Sequence, residues 1–476
     1  MMRLSSQNLT QANALKPNYD RTNVSVGIVH LGIGAFHRAH QAVYIDDLLA
    51  QQTEQNKKWG IWGVSLRSDT TAQALNPQDN LYTVATNDAS GQSNRIIGSV
   101  LDIITAPENP QAVMDALAAE TTKIVSLTIT EKGYCHGPAT GNLDANHLDI
   151  IADLANPTTP KTAAGYIVEA LRIRRNADIA PFTVLSCDNL PMNGLVTQKV
   201  ILQYARLYNA DLADWIEALV TFPSTMVDRI VPATTDDNRS QISQAIGFED
   251  RWPVMAEPFS QWVIEDHFCN GRPAYETVGA QLVSNVEPYE LMKLRMLNGS
   301  HSTIAYLGYL AGHKTVAEVM DQPEFETLIT KMMTDEIIPT LDLPNVDLPA
   351  YRDQLIQRFK NPALNHLTWQ IAMDGSQKLP QRILDTIRDN IAANRPYDSL
   401  VKCVAGWMQY ATAVDLNGAE IDVRDPLADP LKAIGQKTDA ATMVKAYASI
   451  TSIFDNLGEN QTFLDKVTNA LLDLRR

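Results

Sequence analysis

Residues 290–301 place a lysine, an asparagine and a histidine in an otherwise apolar run, with Lys293, Asn298 and His301 separated by Leu294, Arg295, Met296, Leu297, Gly299 and Ser300. The run predicts a helix. With about 100° between successive residues, Glu290, Lys293, Asn298 and His301 fall within an arc of about 140°. A long amine, a neutral amide and an imidazole then share one face. An amine desolvated beside such partners titrates low and exchanges a proton near neutral pH. The segment is therefore a candidate acid/base centre. An amphipathic helix with a solvated lysine would show the same spacing, and the rest of the chain weighs against that reading.

A second chemical signal lies near the start. Gly32-Ile33-Gly34-Ala35-Phe36-His37 follows the apolar run Val26–Leu31 and opens a helix-like stretch at residues 36–49. A strand, a glycine turn and a helix form the context in which a dinucleotide fingerprint works. Gly32 permits the tight turn, and Gly34 lets the backbone approach a pyrophosphate. A helix N-terminus offers that anion its N–H groups. Leu31, Gly32, Ile33, Gly34, Ala35 and Phe36 are thus the candidate cofactor turn, with His37 where the third glycine would stand. After the second strand comes Arg67-Ser68-Asp69. Asp69 is suited to a ribose 2′-hydroxyl and so to NAD. Arg67 and Ser68 would suit the 2′-phosphate of NADP, which is not excluded.

Strand and helix signals alternate through the first half. Strands are predicted at residues 26–31, 61–66, 124–129 and 182–186, with helices at 36–49, 112–119, 163–175 and 197–208. Alternation of this kind predicts a parallel sheet with helices on both faces. Ligands of such sheets bind beyond the carboxyl ends of the strands. Two of those ends carry Thr130-Glu131-Lys132-Gly133 and Cys187-Asp188-Asn189, so Glu131 and Asn189 are expected to face the cofactor crevice. From about residue 288 onward helix signals dominate, with a long loop at residues 339–349. The expected fold class is α/β: a Rossmann-type domain over residues 1–286 and a mostly α-helical substrate domain over 287–476.

Composition narrows the partners. The 476 residues carry a net charge of −16, with 45% hydrophobic and 20% charged residues. Such a chain is expected to bind neither nucleic acid nor an anionic membrane. A local basic pocket for an anionic small molecule remains compatible with it. Cys135, Cys187, Cys269 and Cys403 form no C-x-x-C pair, which argues against a disulfide framework or structural zinc. A polar N-terminus and the lack of a long apolar run point to a cytoplasmic protein. Oligomeric state is left open.

The motifs quoted above, together with Thr130-Glu131-Lys132-Gly133-Tyr134, Phe222-Pro223-Ser224-Thr225-Met226-Val227-Asp228-Arg229 and Trp369 to Pro380, resemble the long-chain mannitol dehydrogenase family of polyol and sugar-acid dehydrogenases. The resemblance runs from about residue 25 to beyond 410 and is strongest to the branch that oxidises D-mannonate. It implies a Rossmann-type domain, a helical domain, a cleft between them, and metal-independent hydride transfer with NAD. It further implies that Lys293 is the general acid/base, that Asn189 and Asn298 stabilise the oxyanion, that His301 orients substrate, and that Glu131 relays the proton. A substrate carboxylate needs a cationic anchor, ideally an arginine; Arg229, Lys378 and Arg382 are the candidates. The expected reaction is D-mannonate oxidation to D-fructuronate. Oxidation of mannitol or another polyol, reduction of tagaturonate, and a cofactor-binding sensor without turnover are the alternatives.

Overall fold

The computed structural model describes residues 1–88, 91–137, 140–436 and 439–476. It divides into two compact units, Met1–Glu287 and Pro288–Arg476.

In the first unit the strands are β1 (Val26–Leu31), β2 (Gly60–Ser65), β3 (Tyr82–Asp88), β4 (Gly91–Ile97), β5 (Val100–Thr105), β6 (Ile124–Leu127), β7 (Thr183–Ser186), β8 (Thr225–Asp228), β9 (Val254–Ala256), β10 (Gln261–Glu265) and β11 (Gln281–Val283). Five of them pair in parallel in the order β5-β2-β1-β6-β7. This is a Rossmann-type sheet, whose order reverses direction between β1 and β6. Alternate residues of each strand enter different cores. Ile28, Ile61, Ile103, Ile124 and Leu185 belong to one, whereas Val29, Leu31, Val64, Val125 and Val184 belong to the other. Burial on both faces explains why these strands read as continuous apolar runs rather than as alternating ones.

Two smaller sheets, β4-β3-β9 and β11-β10-β8, lie outside the alternation expected from sequence. The polar strand β4 is defined by its antiparallel register with β3, from Tyr82 opposite Ile97 to Asp88 opposite Gly91. Periodicity does not reveal such a strand, because a partner rather than a buried face specifies it.

The helix expected over residues 36–49 is interrupted. It consists of α1 (Ala35–Ala39) and α2 (Gln41–Ala50), broken at His40 with φ −124° and ψ −88°. Tertiary contacts hold the break: His40 Nε2 lies 2.9 Å from the Gln261 carbonyl, and its ring packs edge-on against Trp262.

The second unit is mostly helical. Helix Gly299–Leu310 is buried on nearly every side, as a central helix must be. It follows a π-helical turn, Lys293–Asn298, which itself continues helix Glu287–Met292. Further π turns occupy Met332–Ile337 and Pro380–Leu384. At the last, Pro380 lacks the N–H that a regular helix would use. No helix among the described residues is long and apolar enough to cross a membrane.

Candidate functional site

The glycine turn at the end of β1 is fixed from below. Gly32 adopts φ +97°, and a Cβ built there would lie 2.2 Å from the Thr128 carbonyl oxygen. Only glycine fits this backbone and this approach. The Gly32 carbonyl accepts the Thr128 hydroxyl at 2.8 Å. His30 bridges the same group, with Nε2 2.9 Å from Thr128 Oγ1 and Nδ1 2.8 Å from Ser126 Oγ. A Cβ added at Gly34 would find its nearest neighbour 3.8 Å away, so the surface there stays open toward a ligand. His37, in place of the third glycine, stacks flat on His30 at 3.4 Å.

A cavity of about 770 Å³ opens beyond the carboxyl ends of β5, β2, β1 and β6, with Gly32, Ile33 and Gly34 in its wall. Its size falls within the roughly 300–1,000 Å³ typical of cofactor and ligand sites. It straddles the point where strand order reverses, which is where a dinucleotide binds in such sheets. Arg67 and Ser68 line it. The Asp69 carboxylate accepts a bond from the Gln73 carboxamide. Leu31 is buried in β1, and Ala35 and Phe36 begin α1. Thr162 and Lys161, just before helix Ala163–Asn176, complete the far wall. Sequence reading passed over these two; the Thr162 N-cap, three residues before Gly165, was the available signal.

The ends of β6 and β7 carry the other candidates of this unit. Glu131 opens a short turn, Glu131–Tyr134, and is exposed; Asn189 is also exposed and directly follows Asp188. Asp188 is buried. Its carboxylate accepts the amides of Ile129 at 3.0 Å and Thr130 at 2.8 Å, and the Tyr134 hydroxyl at 2.8 Å. Burial holds the Asp188 carboxyl above the usual carboxylate range, against the pull of those three donors.

In the second unit the π turn changes the geometry that regular helix spacing implied. The Gly299 amide bonds back to the Leu294 carbonyl, five residues earlier. Bonding from i to i+5 aligns residues five apart, as i to i+4 bonding aligns residues four apart. Lys293 and Asn298 are five apart across this turn, and Asn298 and His301 are three apart on the helix beyond it. The π turn thus gathers amine, amide and imidazole into a narrower stripe than the regular wheel allows. Lys293 and Asn298 are partly exposed, while His301 is 7% exposed. The His301 ring packs on Phe359 and His366, at 4.8 and 4.9 Å. Its Nε2 is buried and has no hydrogen-bond partner among the described residues.

The three candidate anchors divide between the units, with Lys378 and Arg382 both in the second. Arg229 belongs to the first unit, where its guanidinium donates to the carbonyls of Glu257 at 3.0 Å and Ala39 at 2.6 Å. It lines a second cavity of about 440 Å³ with Tyr44 and Arg95, which shares no residue with the glycine-turn cavity. Lys378 donates to the Met373 carbonyl at 2.7 Å. Arg382 donates to the Ser302 hydroxyl at 3.3 Å and lies close enough to His301 to oppose its protonation. Of the three, Arg382 accompanies the Lys293–His301 stripe. No group of three or more His, Cys, Asp or Glu side chains among the described residues is placed to hold a metal ion.

Burial also makes a pH prediction. It pushes His30 down to about 3 and drives His37 well below the imidazole range, with neighbouring His30 adding to the effect. His301 is lowered by burial first, then by His366, Arg358 and Arg382. These rings stay neutral in the folded protein but protonate near 6.5 once unfolded. The folded state then binds fewer protons, so stability is complete above about pH 6.5 and declines below it, for His30 until about pH 3. Each ring contributes at most about 1.4 kcal/mol per pH unit in that window. Denaturant unfolding from pH 7.5 to 5.0 should show this decline; a flat unfolding free energy would contradict it.

Comparison with known proteins bears on the same elements. Residues 26–277 match the mannitol dehydrogenase Rossmann domain and residues 285–475 the mannitol dehydrogenase C-terminal domain. The chain is 47% identical over 465 residues to D-mannonate oxidoreductase of Escherichia coli K12, covering 96% of this chain and 95% of the relative. It is 42% identical to mannitol 2-dehydrogenase of Phaeosphaeria nodorum, covering 100% of this chain and 84% of the relative. Among solved structures, the Pseudomonas fluorescens mannitol 2-dehydrogenase ternary complex with NAD and D-mannitol superposes with a TM-score of 0.84 at 41% identity, covering 100% of this chain and 97% of that one.

Proposed function

The chain belongs to the mannitol dehydrogenase family, and on that premise we propose that it is an NAD-dependent oxidoreductase interconverting D-mannonate and D-fructuronate. The observation that carries this reading is the π turn, which brings Lys293 and Asn298 onto one face with His301, near Arg382. The glycine-turn cavity suits the dinucleotide, because Gly34 leaves backbone rather than side chain toward it and Gly32 lets the turn pack closely on Thr128.

A dinucleotide held at the Gly32–Gly34 turn would supply the hydride chemistry, uptake from a secondary alcohol and return to a carbonyl. Hydride arrival at a carbonyl carbon builds negative charge on the oxygen. Asn298 is a neutral donor for that charge, the role proposed for Asn189 as well. Such donors stabilise it without redistributing charge of their own. Lys293, as ammonium, adds electrostatic stabilisation and gives the proton to oxygen; as free amine it takes the proton during oxidation. The neutral His301 ring presents Nε2 to a substrate hydroxyl. Arg382 supplies the cation for a carboxylate, and Glu131, being exposed, passes the proton toward solvent.

The mannitol 2-dehydrogenases at similar identity favour a second reading, a polyol in place of the sugar acid. The two differ by one carboxylate. Turnover with D-fructuronate, D-tagaturonate and D-fructose, each with NADH and with NADPH, separates them. We expect D-fructuronate with NADH to give the highest kcat/KM. Faster turnover of fructose than of either uronate would overturn the sugar-acid assignment, and NADH binding without any turnover would overturn the enzyme reading.

A further inference from the structure

We propose that the buried Asp188 carboxylate, braced by Tyr134, is a positioning residue that fixes Glu131 and Asn189 at the edge of the cofactor cavity. The proposal rests on the reading of these two residues given above and adds what holds them.

Thr130 has φ 62° and ψ 164°. That region of backbone space is essentially confined to glycine, and a β-branched residue there persists only where its surroundings force it. The force is visible. Asp188 Oδ1 accepts the Thr130 amide at 2.8 Å, and Oδ2 accepts the Ile129 amide at 3.0 Å. Both are hydrogen bonds to a carboxylate, the stronger kind. Tyr134, at the far end of the same turn, donates to Oδ2 at 2.8 Å. Its oxygen also lies 2.6 Å from Ser186 Oγ, on β7. One carboxylate therefore pins both ends of the β6 turn to the end of β7.

The residues beside the pins are the chemical ones. Glu131 follows Thr130, and Asn189 follows Asp188. Ile129 and Thr130 line the cavity. The Asp188 carbonyl is fixed in turn by Asn193 Nδ2 at 2.9 Å, whose carboxamide also bridges to the Thr225 backbone. Glycine at position 130 would take this conformation without strain. The chain carries threonine instead and restrains it, so the geometry of the turn depends on the carboxylate.

The test uses the full chain, with kcat for D-fructuronate and NADH, the NADH dissociation constant by fluorescence, and hydrogen exchange of amides 129–134. In Asp188→Asn an amide replaces an acceptor-only group that three donors face. We expect kcat to fall about 100-fold, as a misplacement near 1 Å can produce, with NADH affinity nearly unchanged and the turn amides exchanging faster. Adding Thr130→Gly to Asp188→Asn should restore much of kcat, because glycine needs no restraint. Tyr134→Phe removes one brace, should lower kcat by a smaller factor, and decides the matter if Asp188→Asn does not fold. Unchanged kcat in either single variant overturns the proposal. So does a loss in which NADH affinity, melting temperature and kcat fall together without rescue by glycine. A wild type inert toward every uronate and ketose overturns the enzyme reading and this proposal with it, and the wild type alone reveals that outcome.

Discussion

Replacing Lys293 by alanine is expected to lower kcat by roughly 10²–10⁴-fold, the range that a positioned general acid or base contributes. The variant should bind NADH nearly as well as the wild type, because Lys293 is not among the residues that line the glycine-turn cavity. Proton transfer and hydride transfer occur at the two atoms of one C–O bond. Without a donor, reduction would leave an alkoxide, and that is what makes the step slow. The loss should therefore appear in kcat and kcat/KM together, the mark of an interaction made in the transition state. It should also remove the lysine's limb from the pH–rate profile. Steady-state kinetics with a melting curve as control measures this. A variant that folds and retains kcat within about threefold of wild type would remove the lysine from the chemistry.

The second large effect is expected at Gly32. Its Cβ substituent in Gly32→Ala would meet backbone, with the Thr128 carbonyl oxygen 2.2 Å and carbon 2.8 Å away, at a φ of +97°. Backbone of neighbouring strands cannot move aside as a flexible side chain does. The strained conformation alone costs about 1–3 kcal/mol, and relief of the clash must push the turn away from β6. Both stability and the cofactor wall then suffer. NADH affinity should fall by at least about tenfold, equivalent to 1.4 kcal/mol, with a lower melting temperature. Gly34→Ala provides the contrast: its nearest neighbour, 3.8 Å away, leaves room within the protein, so folding should survive while ligand approach is obstructed. Equal NADH affinity in Gly32→Ala and wild type would contradict the turn's assignment.

Much of the first unit was legible because the signals there are local. An apolar run buried on both faces, a pair of glycines and a following helix occupy a dozen consecutive residues, and steric rules act over that range. The hydrophobic switch from strand to helix likewise exposed the α/β character of the first half and the helical character of the second. The interruption at His40 was not legible, since its hydrogen-bond partner, Gln261, is 221 residues away. Strand β4 escaped for a similar reason: a polar segment becomes a strand through its partner.

At the site the division is sharper. Residue type and order marked Lys293, Asn298 and His301 as acid/base and donor groups, because chemistry belongs to side chains and the chain carries them in plain view. Their mutual angle was misjudged by assuming a regular helix. A π turn arises where packing favours a wider turn, and residue spacing carries no trace of it. The three basic candidates were equal in sequence, and only their contacts separated Arg382 near His301 from Arg229 and Lys378 bound to backbone carbonyls. Asp188 stood in the motif beside Asn189 without an evident task, which became visible once β6 and β7 were paired. The kinds of groups, the fold class and the glycine turn were written in the chain, since they follow from local sterics and hydrophobic period. Which groups share a face, which cation is engaged elsewhere and what holds a strained turn emerged with folding, because those depend on contacts between residues far apart along the chain.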